Sequence, residues 1–184
     1  MAWSPTHTLA IGHEDKIDVK PNPLHKNSSP NEFKIPLQAS VKALAYNNNK
    51  DDFHIAVATS QQVSTYTKSS RYTLHIPDSD SIEIETLAYS SNGLLLAVGC
   101  SNKPKNLVMV YRRLVYTSTK GNTRTREPEH VQTLELTSKP LDVVWSTQND
   151  QLIIKTEQGV EIWKNNIMVG GGTDFQDWKL QIVH

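Results

Sequence analysis

The sequence predicts an all-β fold made of four antiparallel four-stranded units in tandem, with helix nearly absent. Three observations carry this expectation. Four segments resemble one another at near-regular spacing. Each holds short apolar or alternating runs separated by polar turns. No stretch of about 12 residues or more keeps a 3.6-residue apolar period.

The four segments are "AWSPTHTLAIGHEDKIDVK", "LAYNNNKDDFHIAVATSQQVSTYTK", "LAYSSNGLLLAVGCSNKPKNLVMVYRR" and "VVWSTQNDQLIIKTEQGVEIWKN". Each carries near its start an aromatic residue after small or aliphatic neighbours: Trp3, Tyr46, Tyr89 and Trp145. The spacings are 43, 43 and 56, and the excess of 13 in the last is close to the length of one polar insert, "TSTKGNTRTREPEH". A second strand follows a polar turn: Leu9-Ala10-Ile11-Gly12, Ile55-Ala56-Val57-Ala58, Leu95-Leu96-Ala97-Val98-Gly99 and Leu152-Ile153-Ile154. The third strands alternate, over Ile17 to Val19, Val63 to Tyr66, Val108 to Tyr111 and Val160 to Trp163. Fourth strands are expected in "FKIPLQ", "YTLHIP", "VQTLELT" and "WKLQIVH".

A four-stranded antiparallel unit recurring at about 40 residues predicts the blades of a β-propeller. The blades are expected at approximately 1–38, 41–76, 84–137 and 141–184, with a linker-like loop over 20–32 and a basic insert over 117–130. The second strand of each blade is expected to be covered on both faces, which explains its continuous apolar character. Small residues such as Ala97 and Gly99 would let neighbouring blades approach closely.

The units resemble the blades of the WD-repeat family. In "GVEIWK", Trp163 stands where the Trp of the Trp-Asp pair falls, with Tyr66 and Tyr111 in the same place in the two middle units. The Asp is replaced by Thr67, Arg112 and Lys164, and His13 follows Gly12 on a second strand rather than preceding a first one. These are degenerate repeats, without the Asp/His/Ser/Trp hydrogen-bond network of well-formed family members. Rings of this family close with about six to eight blades. Four would leave two faces of blade core in water. The expectation is therefore part of a larger ring, completed by further sequence, by a partner chain or by a second copy of this one; a small closed four-bladed ring is the remaining alternative.

With Lys+Arg and Asp+Glu both at 19, the chain of 184 residues has no net charge, so nucleic acid or anionic lipid would have to be held by a local patch. Cys100 is the single cysteine, which excludes an intrachain disulfide and suits a reducing compartment, cytoplasmic or nuclear. The start "MAWSPTHTLAIGHEDK" lacks the pattern of a signal peptide, and no apolar run approaches a membrane span.

The chemistry-bearing motifs read as structure. "GHEDKID" gathers His13, Glu14, Asp15 and Asp18, but Glu14-Asp15 suits a strand-connecting turn better than a metal site. "VGGGTD" (169–174) lacks the Lys-Ser/Thr and the helix of a phosphate loop. Cys100 has no oriented base, so a core thiol is expected. No catalytic residue, cofactor or metal is expected.

Charge is distributed less evenly. Lys103, Lys105, Arg112, Arg113, Lys120, Arg124 and Arg126 lie in one stretch without an acid, after a segment bearing Asp78, Asp80, Glu83 and Glu85. Family resemblance implies a non-enzymatic protein-interaction scaffold in a larger assembly. Arg112, Arg113, Lys120, Arg124 and Arg126 are the expected partner-contact residues, by charge and expected exposure. The alternative places the same strip on RNA or DNA phosphates, although the insert holds no aromatic residue to stack on bases.

Overall fold

Alternation sets the strands and small polar side chains set the turns between them. A computed structural model describes residues 1–3, 8–21, 33–47, 54–60, 62–67, 70–76, 82–102, 105–113, 115–117, 123–125, 128–148, 151–165 and 178–182. The turn after Tyr89 shows the local logic. Ser90 Oγ accepts from Leu95 N at 2.9 Å and donates to Asn92 Oδ1 at 2.7 Å, and Asn92 Oδ1 accepts from Leu94 N at 3.0 Å. Gly93 takes φ 69°, where a Cβ would also fall 1.6 Å from Asn47 Oδ1. Ser146 repeats the device, accepting from Gln151 N at 3.1 Å.

Eighteen strands are described. The first blade is β1 (Ala2–Trp3), β2 (Thr8–Gly12), β3 (Lys16–Pro21) and β4 (Phe33–Pro36). The second is β5 (Ala43–Tyr46), β6 (Ile55–Ala58), β7 (Val63–Tyr66) and β8 (Arg71–Thr73). The third is β9 (Glu83–Tyr89), β10 (Leu95–Asn102), β11 (Lys105–Arg112) and β14 (Glu129–Leu136), with β12 (Val115–Thr117) and β13 (Thr123–Thr125) inserted as a separate hairpin. The fourth is β15 (Pro140–Trp145), β16 (Gln151–Thr156), β17 (Gly159–Asn165) and β18 (Trp178–Ile182). Each blade is an antiparallel meander in chain order, apart from that hairpin.

Two elements differ from the sequence reading. Insert residues Thr123–Thr125 pair with Val115–Thr117 as a hairpin, with Tyr116 opposite Arg124, and Glu129 and His130 already belong to β14. The fourth strand expected over 72–77 pairs regularly only to Thr73. Beyond it Leu74 and Ile76 remain buried, while the His75 carbonyl turns toward the third blade to accept from Tyr111 Oη at 2.8 Å. Leu74 N still donates to the Val63 carbonyl of β7 at 2.9 Å, and beyond it the segment serves the seam between blades. Of the linker-like loop expected over 20–32, Lys20 and Pro21 instead end β3, and 22–32 lie outside the described residues.

The blades stack side by side through their first strands: β1 meets β5, β5 meets β9 and β9 meets β15. Among the described residues no contact of that extent leads from β15 back to β1. Each seam holds its own apolar cluster. Ala10, Ile17 and Val19 meet Ile55 and Val57 in the first. Ala56, Ala58 and Val63 meet Leu96, Val98 and Met109 in the second, and Ala97, Val108 and Val110 meet Leu152 and Ile154 in the third. The core is thus a series of interfaces between sheets, which is why second strands are buried on both faces. Polar bonds cross the seams too, among them Trp145 Nε1 to the Ala88 carbonyl at 3.0 Å and Lys139 to Glu85.

Candidate interaction surfaces

The basic stretch of the third blade divides once it folds. Lys105 lies 3.9 Å from Glu135, both well exposed, a contact of little energetic weight. Arg112 ends β11 opposite Glu129 on β14 and donates from Nη2 to its Oε2 at 2.7 Å, so part of its charge is answered within the blade. Arg113, read from the sequence as exposed, is 8% exposed. Its Nη1 donates to Nδ1 of His54, itself buried, at 2.9 Å. A guanidinium only donates, so Nδ1 is the acceptor and this imidazole is neutral. Together with Thr65, Tyr89, Tyr111 and Pro128 the pair lines a crevice of about 10 Å³, about the size of one water. Arg124 lies on the β12–β13 hairpin, which packs on no blade strand to a comparable extent among the described residues. Lys120 and Arg126 lie outside the described residues.

The other candidates resolve as structure. Glu14 and Asp15 form the bend between β2 and β3, and His13 Nε2 stands 3.1 Å from Asp18 Oδ2. No group of three or more His, Cys, Asp or Glu converges as a metal site among the described residues. The glycine-rich segment 169–174 lies outside them. Cys100 is fully buried in the seam between the second and third blades. Burial, with Glu85 adding to it, pushes its thiol up to about 12. Since the native pKa is raised, this group stabilises the fold fully below the ordinary thiol range. That contribution declines as pH rises from about 8.5 toward the native value. Native protein at pH 8 is therefore expected to alkylate with iodoacetamide roughly a thousandfold more slowly than urea-unfolded protein; equal rates would place Cys100 at the surface.

The most regular geometry lies in the seams. Register pairs Trp3 with Leu9, Tyr46 with Ile55, Tyr89 with Leu96 and Trp145 with Leu152. This makes Leu9-Ala10-Ile11-Gly12, Ile55-Ala56-Val57-Ala58, Leu96-Ala97-Val98-Gly99 and Leu152-Ile153-Ile154-Lys155 equivalent. The first and third positions face the preceding blade, and the second and fourth face the following one. The following-blade face is floored by alanine or glycine in the first three blades because the next blade sits close. A Cβ on Gly12 would lie 2.8 Å from Val41 Cγ1; one on Gly99 would lie 2.5 Å from Thr86 Cγ2 and 3.4 Å from Pro140 Cβ. Sequence reasoning found the small residues without the register that makes them a floor.

No protein-family model matches this chain, and no curated protein matches it. Among solved structures it is similar to the Cps50 (Swd1) β-propeller domain of Myceliophteria thermophila, with a TM-score of 0.68 and 12% identity over 97% of this chain and 55% of that one. It is also similar to Kuenenia stuttgartiensis hydrazine synthase, with a TM-score of 0.59 and 14% identity over 89% of this chain and 44% of that one. The chain spans about half the length of the solved structures it matches. No helix among the described residues is long and apolar enough to cross a membrane. The sheets, their stacking and these likenesses show an all-β protein with the β-propeller fold, built of four-stranded antiparallel blades.

Proposed function

We propose that this chain is a non-enzymatic protein-interaction scaffold, a WD-like propeller subunit of a larger assembly, and that the basic hairpin of the third blade is one of its contact surfaces. The observation that carries the reading is the separation of that hairpin from the packed sheets. Arg112 and Arg113 are engaged within and between blades, while the β12–β13 hairpin forms a two-stranded sheet of its own. A rigid platform carrying a hairpin with charges of one sign suits an acidic protein surface, because the blades fix the hairpin's base while charged side chains adapt. In this reading Arg124 with Lys120 and Arg126 makes the contact, Arg112 borders it, and Arg113 holds the hairpin's base against the second blade through His54.

The test is cross-linking mass spectrometry of the tagged protein in its own cells. The triple variant Lys120→Glu, Arg124→Glu, Arg126→Glu is expected to keep its thermal melt and to lose about tenfold or more of its cross-links to a defined protein partner. Unchanged cross-links would remove the hairpin from the contact. Binding of a generic single-stranded RNA that falls by roughly 10³-fold or more between about 50 and 200 mM salt would replace this reading with the phosphate-binding one.

A further inference from the structure

One buried contact ties the root of the basic hairpin to the second blade, and its chemistry allows a single protonation state. Arg113 lies one residue past the end of β11 and two before β12. Its backbone N donates to the Leu94 carbonyl at 2.8 Å, which fixes the main chain on the third blade. Its side chain crosses the seam, and Nη1 donates to Nδ1 of His54 at 2.9 Å. His54 stands just before β6 of the second blade and is 2% exposed. The His54 carbonyl accepts from Asn47 N at 3.0 Å, and the Asn47 side chain meets Gly93 of the third blade. The imidazole is therefore held from both blades, beside a crevice with room for about one water.

A guanidinium only donates and keeps its charge, so Nδ1 of His54 must keep its lone pair. A proton there removes the acceptor and sets a second positive charge beside the first, 2.9 Å away and out of water. Among the described residues, the groups lining the crevice bring no negative charge against this. Thr65 comes from β7, Tyr89 from β9, Leu96 from β10 and Tyr111 from β11, with Pro128 ahead of β14. The two phenols are neutral well below about pH 10, and Glu129, next to Pro128, is engaged by Arg112. Two further histidines approach through Tyr111: His130 packs edge-on against its ring at 5.4 Å, and the His75 carbonyl accepts from its hydroxyl. Both imidazoles are exposed and take up protons in water without breaking a buried bond.

We infer that His54 and Arg113 form an acid-sensitive latch for the basic hairpin. With His54 neutral, the guanidinium is seated across the seam and the hairpin root is fixed to the second blade. A proton on Nδ1 unseats the guanidinium and frees the root. The proton comes from water and only a hydrogen bond is lost, so the change is reversible. An imidazole takes its proton near pH 6.5 in an unfolded chain, and the folded pair opposes it. Below that pH the unfolded state binds more protons. The stability that the pair confers is therefore whole above about pH 6.5 and declines as pH falls below it. As a control on the hairpin's contact, the latch rests on the scaffold reading. Its chemistry does not, and the experiment uses no partner, so either can fail alone.

The experiment sets the unaltered chain beside His54→Gln, whose amide oxygen accepts from Arg113 at any pH, and beside His130→Gln. Urea unfolding at about pH 7.5 and about pH 5.5 reads the latch globally. Between them the folding equilibrium constant of the unaltered chain is expected to fall about tenfold more than that of His54→Gln, the effect of one proton taken up only on unfolding. His130→Gln should follow the unaltered chain. Hydrogen–deuterium exchange, corrected for the intrinsic pH dependence of amides, reads the latch locally. Peptides covering Arg113 and β12 should exchange at least about threefold faster at the lower pH in the unaltered chain, and equally at both in His54→Gln. Arg113→Met, which keeps the aliphatic stem, should exchange fast at both, and its exchange decides the matter if the glutamine variant does not fold. Equal pH dependence in the unaltered chain and His54→Gln would overturn the inference. So would exchange at the hairpin root that is insensitive to pH in the unaltered chain, or that keeps its pH dependence in Arg113→Met.

Discussion

Tyr111→Ala is expected to destabilise the protein by about 3–5 kcal/mol, the range for truncating a fully buried aromatic side chain. Tyr111 is 1% exposed, pairs with Leu96 and packs in the seam that joins the second and third blades. Its hydroxyl donates 2.8 Å to the His75 carbonyl, so one side chain supplies both apolar area and a polar tie between sheets. Tyr111→Phe separates the two: the ring stays, the tie is lost, and about 0.5–1.5 kcal/mol should go with it, the net contribution of one hydrogen bond. Urea denaturation followed by tryptophan fluorescence and by circular dichroism checks both variants. Trp145 reports on the neighbouring seam, so coincident midpoints would show that loosening one seam releases the next. A loss below about 1 kcal/mol for the alanine variant would mean that the seam collapses around the vacancy.

Gly99→Ala should cost about 1–3 kcal/mol even though it adds a single methyl group, because overpacking a filled seam forces its neighbours aside. The added Cβ falls 2.5 Å from Thr86 Cγ2 on the adjacent strand, with Pro140 of the fourth blade behind it at 3.4 Å. Thr86 is itself buried and has little room to turn away. Thr86→Ser removes the offending methyl while keeping the hydroxyl. The double variant should recover most of the loss, with a coupling of about 0.5–3 kcal/mol in the thermodynamic cycle. Additive losses would shift the strain from Thr86 to Pro140, and hence from within the third blade to the seam itself.

Much of this fold was legible because strand alternation writes each face into the sequence. The opening aromatics Tyr46, Tyr89 and Trp145 end their first strands in register with Ile55, Leu96 and Leu152, and runs such as Ile55-Ala56-Val57-Ala58 advertise a strand covered on both sides. The β12–β13 hairpin was not legible: Thr123, Arg124 and Thr125 of its second strand carry no apolar alternation, so only backbone pairing defines it. Nor could the sequence show the environment of Arg113, whose partner His54 lies 59 residues away; charge alone suggested a surface residue. For Arg113 the missing information was a contact between blades, which no local pattern encodes.

The asymmetry of the seams also bears on synthesis. A ribosome delivers these blades in chain order, and each meander completes from contiguous sequence before the next emerges. The face that a nascent arc shows while awaiting its next blade is the one floored by Ala10 and Gly12, then by Ala56 and Ala58, then by Ala97 and Gly99. The bulkier Ile55, Val57, Leu96, Val98, Leu152 and Ile154 arrive already facing a formed sheet. At each stage the growing edge shows a flat second strand beside larger apolar residues of the third, Ile17 and Val19, then Val63, then Val108 and Val110, so the apolar area left uncovered is confined to one strand's side until the next sheet arrives. When the fourth blade arrives, Lys155 and Asp142 mark that face with charge.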